Sequence, residues 1–181
     1  MTVQQIRLAG DQILRVKCQP IRDFAAAAPL ITDLKDTLLD FKRREGLGRG
    51  IAAPQIGVTQ RAIYVITNEF ESEMINPKIV AHSDTEFVCW DACFSFGAAI
   101  FAKVRRWEGV TVEYQDKDGK KHKLVVTDLA LSELLQHEID HLDGILFVDR
   151  ILRGNNGQVD IIMRAEWENQ GKPFRVSPEP N

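Results

Sequence analysis

The sequence has no apolar run near the roughly 18 residues that suggest a membrane span, no internal repeat, and no low-complexity tract beyond Ala25 to Ala28. It also lacks a dominant charge: 23 Lys and Arg stand against 26 Asp and Glu, a formal net charge of −3. That balance leaves no electrostatic footprint for nucleic acid or an anionic membrane, and points to a small or neutral partner. Cysteine is scarce and odd in number, with three residues, and Met1 to Gln5 show no basic and apolar leader. Both features argue against a disulfide scaffold and for a reducing cytoplasm. With 181 residues, 44% of them apolar, the chain suits one domain around a single core. That core is expected over about 1–153, with a C-terminal loop, short helix and tail over 154–181.

Local patterns give the elements. Leu30, Leu34, Leu38 and Phe41 recur at helical spacing after Pro29, and Gly46 supplies a left-handed stop. "RAIYVIT" (61–67) and "VTVEYQDKDGKKHKLVV" (110–126) are rich in β-branched and aromatic residues, the second turning back at Asp118-Gly119. Asp128 can cap a helix through "LALSELLQHEIDHLD" that Gly144 would end. Farther on, "RGNNGQ" reads as a loop, "VDIIMRAEWENQ" as a short helix and "SPEPN" as a frayed tail. A histidine-bearing helix that follows a hairpin rather than a βαβ unit predicts an α+β fold, with antiparallel strands packed around that helix.

The chemistry begins in "QHEIDH". His137 and His141 stand at i and i+4, so a helix puts both imidazoles on one face with Glu138 beside them, the HExxH arrangement. Two neutral imidazoles can grip a divalent metal while the carboxylate takes a proton from a water that the ion acidifies. A third ligand is required. The metzincin pattern HExxHxxGxxH fails because Phe147 occupies the place of its third histidine, and Asp143, two residues past His141, should point away from the histidine face. The cysteines of "CWDACFSFG" (89–97) remain. Cys89 and Cys93 together would complete a closed Cys2His2 site. An extended segment, however, holds them about 13 Å apart at roughly 3.3 Å per residue, so one should be a bystander. A Cys1His2 site keeps the open position that hydrolysis needs, but spacing leaves the two cysteines tied. In "GLGRGIAAPQIGV" (46–58), glycines permit close backbone approach and the Gln55 amide can donate to an oxyanion; a Gly/Pro-rich surface loop is the competing explanation.

Three segments together resemble the peptide deformylase family. "GRGIAAPQ" is similar to its motif GxGxAAxQ, "DACFS" resembles EGCLS, and "QHEIDH" matches HExDH with Asp140 in place. "LAGDQILR", "INPKI" and "HLDGILFVDR" extend the likeness over most of the chain. The resemblance implies that Cys93 joins His137 and His141 as the metal ligands and leaves Cys89 as a buried strand residue. It implies one divalent ion per chain, Fe2+ in the cell with Zn2+ or Ni2+ as purified. The implied activity is hydrolysis of the N-formyl group from formyl-Met peptides or nascent chains, releasing formate. Glu138 would be the proton carrier, and Gln55 and the Phe94 backbone N–H the oxyanion donors. Gly50, Ile51, Glu133 and Leu134 would form the substrate pocket, with Asp140 in support.

The chain departs from the family pattern in places. Asp91 and Ala92 replace glutamate and glycine in the second motif, and Phe94 replaces leucine. The family's acid pairs with an arginine twelve residues beyond the cysteine, which places Asp91 with Arg105. Phe96 and Gly97, followed by Ala98, Ala99 and Ile100, stand where an aliphatic residue and proline are usual, and the arginine or other polar residue found there in many relatives is missing, so the grip on the substrate backbone is expected to differ. Glu133 lies on the helix stripe of the metal ligands; it either turns outward as an ordinary solvated acid or sits in the side-chain pocket, where it would disfavour an apolar substrate or invite a cationic one. The tail residues Arg164, Lys172 and Arg175 are offset by Asp160, Glu166, Glu168 and Glu179, so only a weak, transient ribosome contact is expected, from a monomer without stable nucleic-acid or membrane partners. The alternatives are a hydrolase for another formyl- or acyl-amide, a non-catalytic metal-stabilised module, and a metallopeptidase.

Overall fold

A computed structural model describes residues 3–154 and 156–176. Helix α1 (Ala28–Glu45) has Pro29 in its first turn and Lys42, Arg43 and Arg44 in its last, where cations favour the helix dipole. It stops at Gly46, at φ 68°, whose N–H donates to the Lys42 carbonyl. Its buried stripe is the predicted one: Leu30, Leu34, Leu38 and Phe41.

Five strands form one antiparallel sheet: β1 (Gly50–Ala52), β2 (Ala62–Ile66), β3 (Glu71–His82), then β6 (Val110–Gln115) and β7 (Lys121–Val126), in the order β1-β2-β3-β6-β7. The β6–β7 hairpin turns where Asp118-Gly119 predicts. A second sheet, also antiparallel, has the order β4 (Glu86–Asp91), β5 (Ile100–Trp107) and β8 (Ile161–Met163).

Helix α2 (Leu129–Leu142) lies between the sheets. Asp128 caps it by accepting from the Leu131 N–H at 2.8 Å. Just past its end Gly144 adopts φ 74°, and a Cβ there would stand 2.5 Å from the Arg15 carbonyl oxygen, so only glycine fits. Strand alternation sorts the large sheet's side chains onto two helices. Ile51, Tyr64 and Ile75 pack toward α1, whereas Ala52, Ile63 and Met74 pack with Leu134, Leu135, Ile139 and Leu142 of α2. On its other side α2 is fastened to the small sheet: Ser132 Oγ and Gln136 Nε2 both donate to the Trp107 carbonyl. The fold is α+β, with antiparallel sheets around the helix that bears the HExxH sequence.

Beyond residue 153 the chain differs from its sequence reading. "VDIIMRAEWENQ" begins as strand β8, and only Arg164–Asn169 is helical (α3). The physical reason is the free edge of β5, against which Ile161, Ile162 and Met163 pair with Ala102, Phe101 and Ile100. The chain then runs beside the other edge of the small sheet. The Phe174 carbonyl accepts from the Trp90 N–H at 2.9 Å, and the Val176 N–H donates to the Val88 carbonyl at 3.0 Å. The predicted frayed tail, 177–181, lies outside the described residues. Among those described, no helix is long and apolar enough to cross a membrane.

Candidate active site and metal centre

Three elements converge on one cavity of about 420 Å³. Helix α2 presents His137 and Glu138 to it, with His141 one turn on, and all three are buried. Cys93 leaves the end of β4 and leads a 3-10 turn, Phe94–Phe96. Gln55 lies in another 3-10 turn, Ala53–Ile56, directly after β1. Cys93 Sγ is 3.2 Å from His141 Nε2, and ligand atoms of Cys93, His137 and His141 all lie within 4.8 Å of one another.

Gln55 is almost fully buried and held at both ends. Its Oε1 accepts from the Ala52 N–H at 2.8 Å, while Nε2 points to Cys93 Sγ and Ser95 Oγ, each at 3.4 Å. Phe94 lines the cavity from the first position of its turn, where a leading N–H has no partner within the helix. Glu138 Oε2 is buried without a hydrogen-bond partner among the described residues. Burial, opposed by His137 and reinforced by Glu133, pushes this carboxyl up to about 7. Gly50 makes room for it: a Cβ there would stand 2.6 Å from Glu138 Oε1.

The support for the histidines corrects the sequence reading. Asp91 Oδ1 is 2.8 Å from His137 Nδ1, which turns the other ring nitrogen, Nε2, away from the carboxylate. The arginine on Asp91 is Arg106, at 2.9 Å, and not Arg105. Arg106 also reaches Asp140 at 2.5 Å, and Asp140 is gripped in turn by Arg150. Alternation along β5 is the cause. Ala102, Val104 and Arg106 face inward, whereas Arg105 is exposed and only 3.7 Å from Glu86. Burial alone would raise Asp91, but His137 and Arg106 hold it well below the usual carboxylate range. Against the same cost of burial, Asp91 drives His137 well up, while burial and the His137 charge drive His141 well down.

One pocket assignment also changes, and the alternative left open for Glu133 is decided. Ile51 is fully buried toward α1 and does not line the cavity, because alternation on β1 turns it away from Gly50. Glu133 does not turn outward: it is buried and accepts from Arg49 Nη2 at 2.6 Å. Gly50, Glu133 and Leu134 do line the cavity. Sequence reasoning missed Arg49, Arg106 and the C-terminal residues Trp167, Pro173 and Phe174, which form part of the wall. A period-2 reading of "IFAKVRRW" would have put Arg106 with Ala102 and Val104; nothing local announces the C-terminal contribution.

Cys89 is not part of the metal-capable group. It is fully buried among Phe87, Ala102, Val104 and Phe147, and burial pushes its thiol far up. A second close group, Asp91, Glu133 and His137, has its carboxylates engaged by Arg106 and Arg49. The donors of the first set suit a divalent ion chemically: a sulfur and two imidazoles select Fe, Zn or Ni over Mg or Ca. The unpartnered carboxylate oxygen beside them leaves a proton acceptor at the same place.

The sequence model of the polypeptide deformylase family matches residues 3–156. A peptide deformylase of Parafrankia sp. (strain EAN1pec) is 36% identical over 99% of this chain and 97% of its own length. One from Caldanaerobacter subterraneus subsp. tengcongensis is 36% identical over 84% and 92%. Among solved structures, peptide deformylase from Thermotoga maritima superposes with a TM-score of 0.77 at 29% identity, covering 84% of this chain and 99% of that one. The Thermus thermophilus enzyme gives 0.76 at 36% identity, covering 83% and 86%. The residues matched by the family model include all three motifs, and the chain belongs to the polypeptide deformylase family.

Proposed function

We propose that this chain removes the N-formyl group from nascent peptides that begin with formyl-methionine, acting in the cytoplasm as a metal-dependent hydrolase. The observation that carries the reading is Glu138 Oε2, buried without a partner among the described residues in a cavity lined also by Cys93, His137 and Gln55.

Cys93, His137 and His141 would hold the ion, Fe2+ in the cell, with Zn2+ or Ni2+ in purified protein. When bound, a divalent ion supplies Lewis-acid polarisation of the formyl group and water acidic enough to react near neutral pH. The chain's residues do the rest. Glu138 takes a proton from the attacking water as the new C–O bond forms at the formyl carbon. Gln55 Nε2 and the Phe94 N–H donate to the oxygen that gains charge, and Glu138 returns the proton to nitrogen as the C–N bond breaks. The products are formate and a free amino terminus. Asp91, held by Arg106, orients His137. A closed structural module would need Cys89 in the ligand set, and the place of Cys89 in a hydrophobic cluster favours the catalytic reading.

The test is formate release from a formyl-Met tripeptide by protein loaded anaerobically with Fe2+, with an acetyl-Met tripeptide as control. Formate from the first and no acetate from the second is expected. Hydrolysis of the acetyl peptide alone would favour another acyl-amide.

A further inference from the structure

The wall of the cavity on the N-terminal side of His137 carries charges that the proposed chemistry does not use. Arg49 Nη2 donates to Glu133 at 2.6 Å and Nη1 to the Ala130 carbonyl at 3.1 Å, while the guanidinium lies 5.9 Å from the Phe174 ring centroid. The Glu133 side chain is only 3% exposed, but that of Arg49 is 41% exposed. Both line the cavity together with Leu134 and Phe174.

Their place along α2 defines what they can meet. Glu133 lies four residues before His137, about 6 Å up the helix axis at 1.5 Å per residue. If the formyl group reacts beside His137 and Glu138, a long unbranched side chain on the same residue reaches this level. A carboxylate alone here would draw a cationic side chain, and a guanidinium alone an anionic one. Paired at hydrogen-bond distance, the two charges cancel, and a charged guest would have to disrupt them. An uncharged side chain can rest on Leu134 and Phe174 with the pair intact.

Resting on the deformylase reading above, we infer that the Arg49–Glu133 pair determines specificity for the first residue of the substrate, selecting an uncharged side chain by mutual neutralisation. A role confined to tying β1 to α2 would leave relative substrate preference unaltered when one charge is removed.

The experiment compares kcat/KM for three formyl tripeptides that differ only in a first residue of Met, Lys or Glu. Glu133→Gln keeps an acceptor for Arg49 but removes the negative charge, so the formyl-Glu peptide should gain on formyl-Met by at least about tenfold, the lower range for a close charge pair. Arg49→Gln should shift preference toward formyl-Lys by a similar factor, and Arg49→Lys should keep the wild-type order. If Arg49→Gln does not fold, Glu133→Gln and Arg49→Lys still decide. Formate release by Glu133→Gln with wild-type substrate ratios overturns the inference and leaves the deformylase reading standing. No formate from any of the peptides with wild-type protein sinks that reading, and the inference with it.

Discussion

Arg106 offers the most direct test of how the site is held. Its side chain is 2% exposed, as is that of Asp91, and it lies between Asp91 at 2.9 Å and Asp140 at 2.5 Å. In Arg106→Met the stem is replaced by a flexible apolar chain, while Asp91 loses its buried cation and Asp140 keeps Arg150. Removing one partner of a buried pair costs about 3–5 kcal/mol where the remaining charge is left uncompensated, the condition Asp91 meets when its other partner, His137, is neutral, as a metal ligand must be. For a chain of this size, at about 2–4 °C per kcal/mol, Tm should fall by roughly 6 to 20 °C. Arg105→Met removes only an exposed contact with Glu86 and should cost about 0–1 kcal/mol. Because Asp91 orients His137, metal affinity should also drop by about 10- to 100-fold in Arg106→Met, as for other residues that brace a ligand. Thermal unfolding of both variants, with and without metal, and titration with a competing chelator measure these effects. Equal loss in Arg105→Met and Arg106→Met, or full metal affinity in Arg106→Met, would refute the network as described.

Glu138→Gln should retain metal and lose roughly 100- to 10,000-fold in turnover, checked by formate release against metal content. The same variant reports on burial: the folded value of about 7 exceeds the ordinary 4.5, so protonation of Glu138 stabilises the fold most below pH 4.5. In metal-free protein that contribution is lost as pH rises to about 7, so denaturant titrations should show wild type losing about 3 kcal/mol relative to Glu138→Gln across the window. Cys93→Ala should lose bound metal while Cys89→Ala keeps it, and equal loss in elemental analysis would return Cys89 to the ligand set. Gln55→Ala should lower kcat by about 100-fold or more at unchanged metal content, and unaltered kinetics would remove Gln55 from the oxyanion site.

What the sequence determined by itself is what helices and turns encode locally. Capping by Asp128, the i, i+4 spacing of His137 and His141, the α1 stripe that ends at Gly46 and the turn at Asp118-Gly119 all depend on residues within a few positions of one another. The motif likeness carried the choice of Cys93 over Cys89, which spacing left tied. Tertiary structure decided the rest, because strand partners and buried charges depend on register between distant segments. It put Arg106 rather than Arg105 on Asp91 and turned Ile51 away from the cavity. It supplied Arg49, 84 positions away, as the partner that lets Glu133 stay buried. It also brought Phe174 beside β4 to wall the cavity, since the free edge of a sheet accepts whichever extended segment the fold delivers to it.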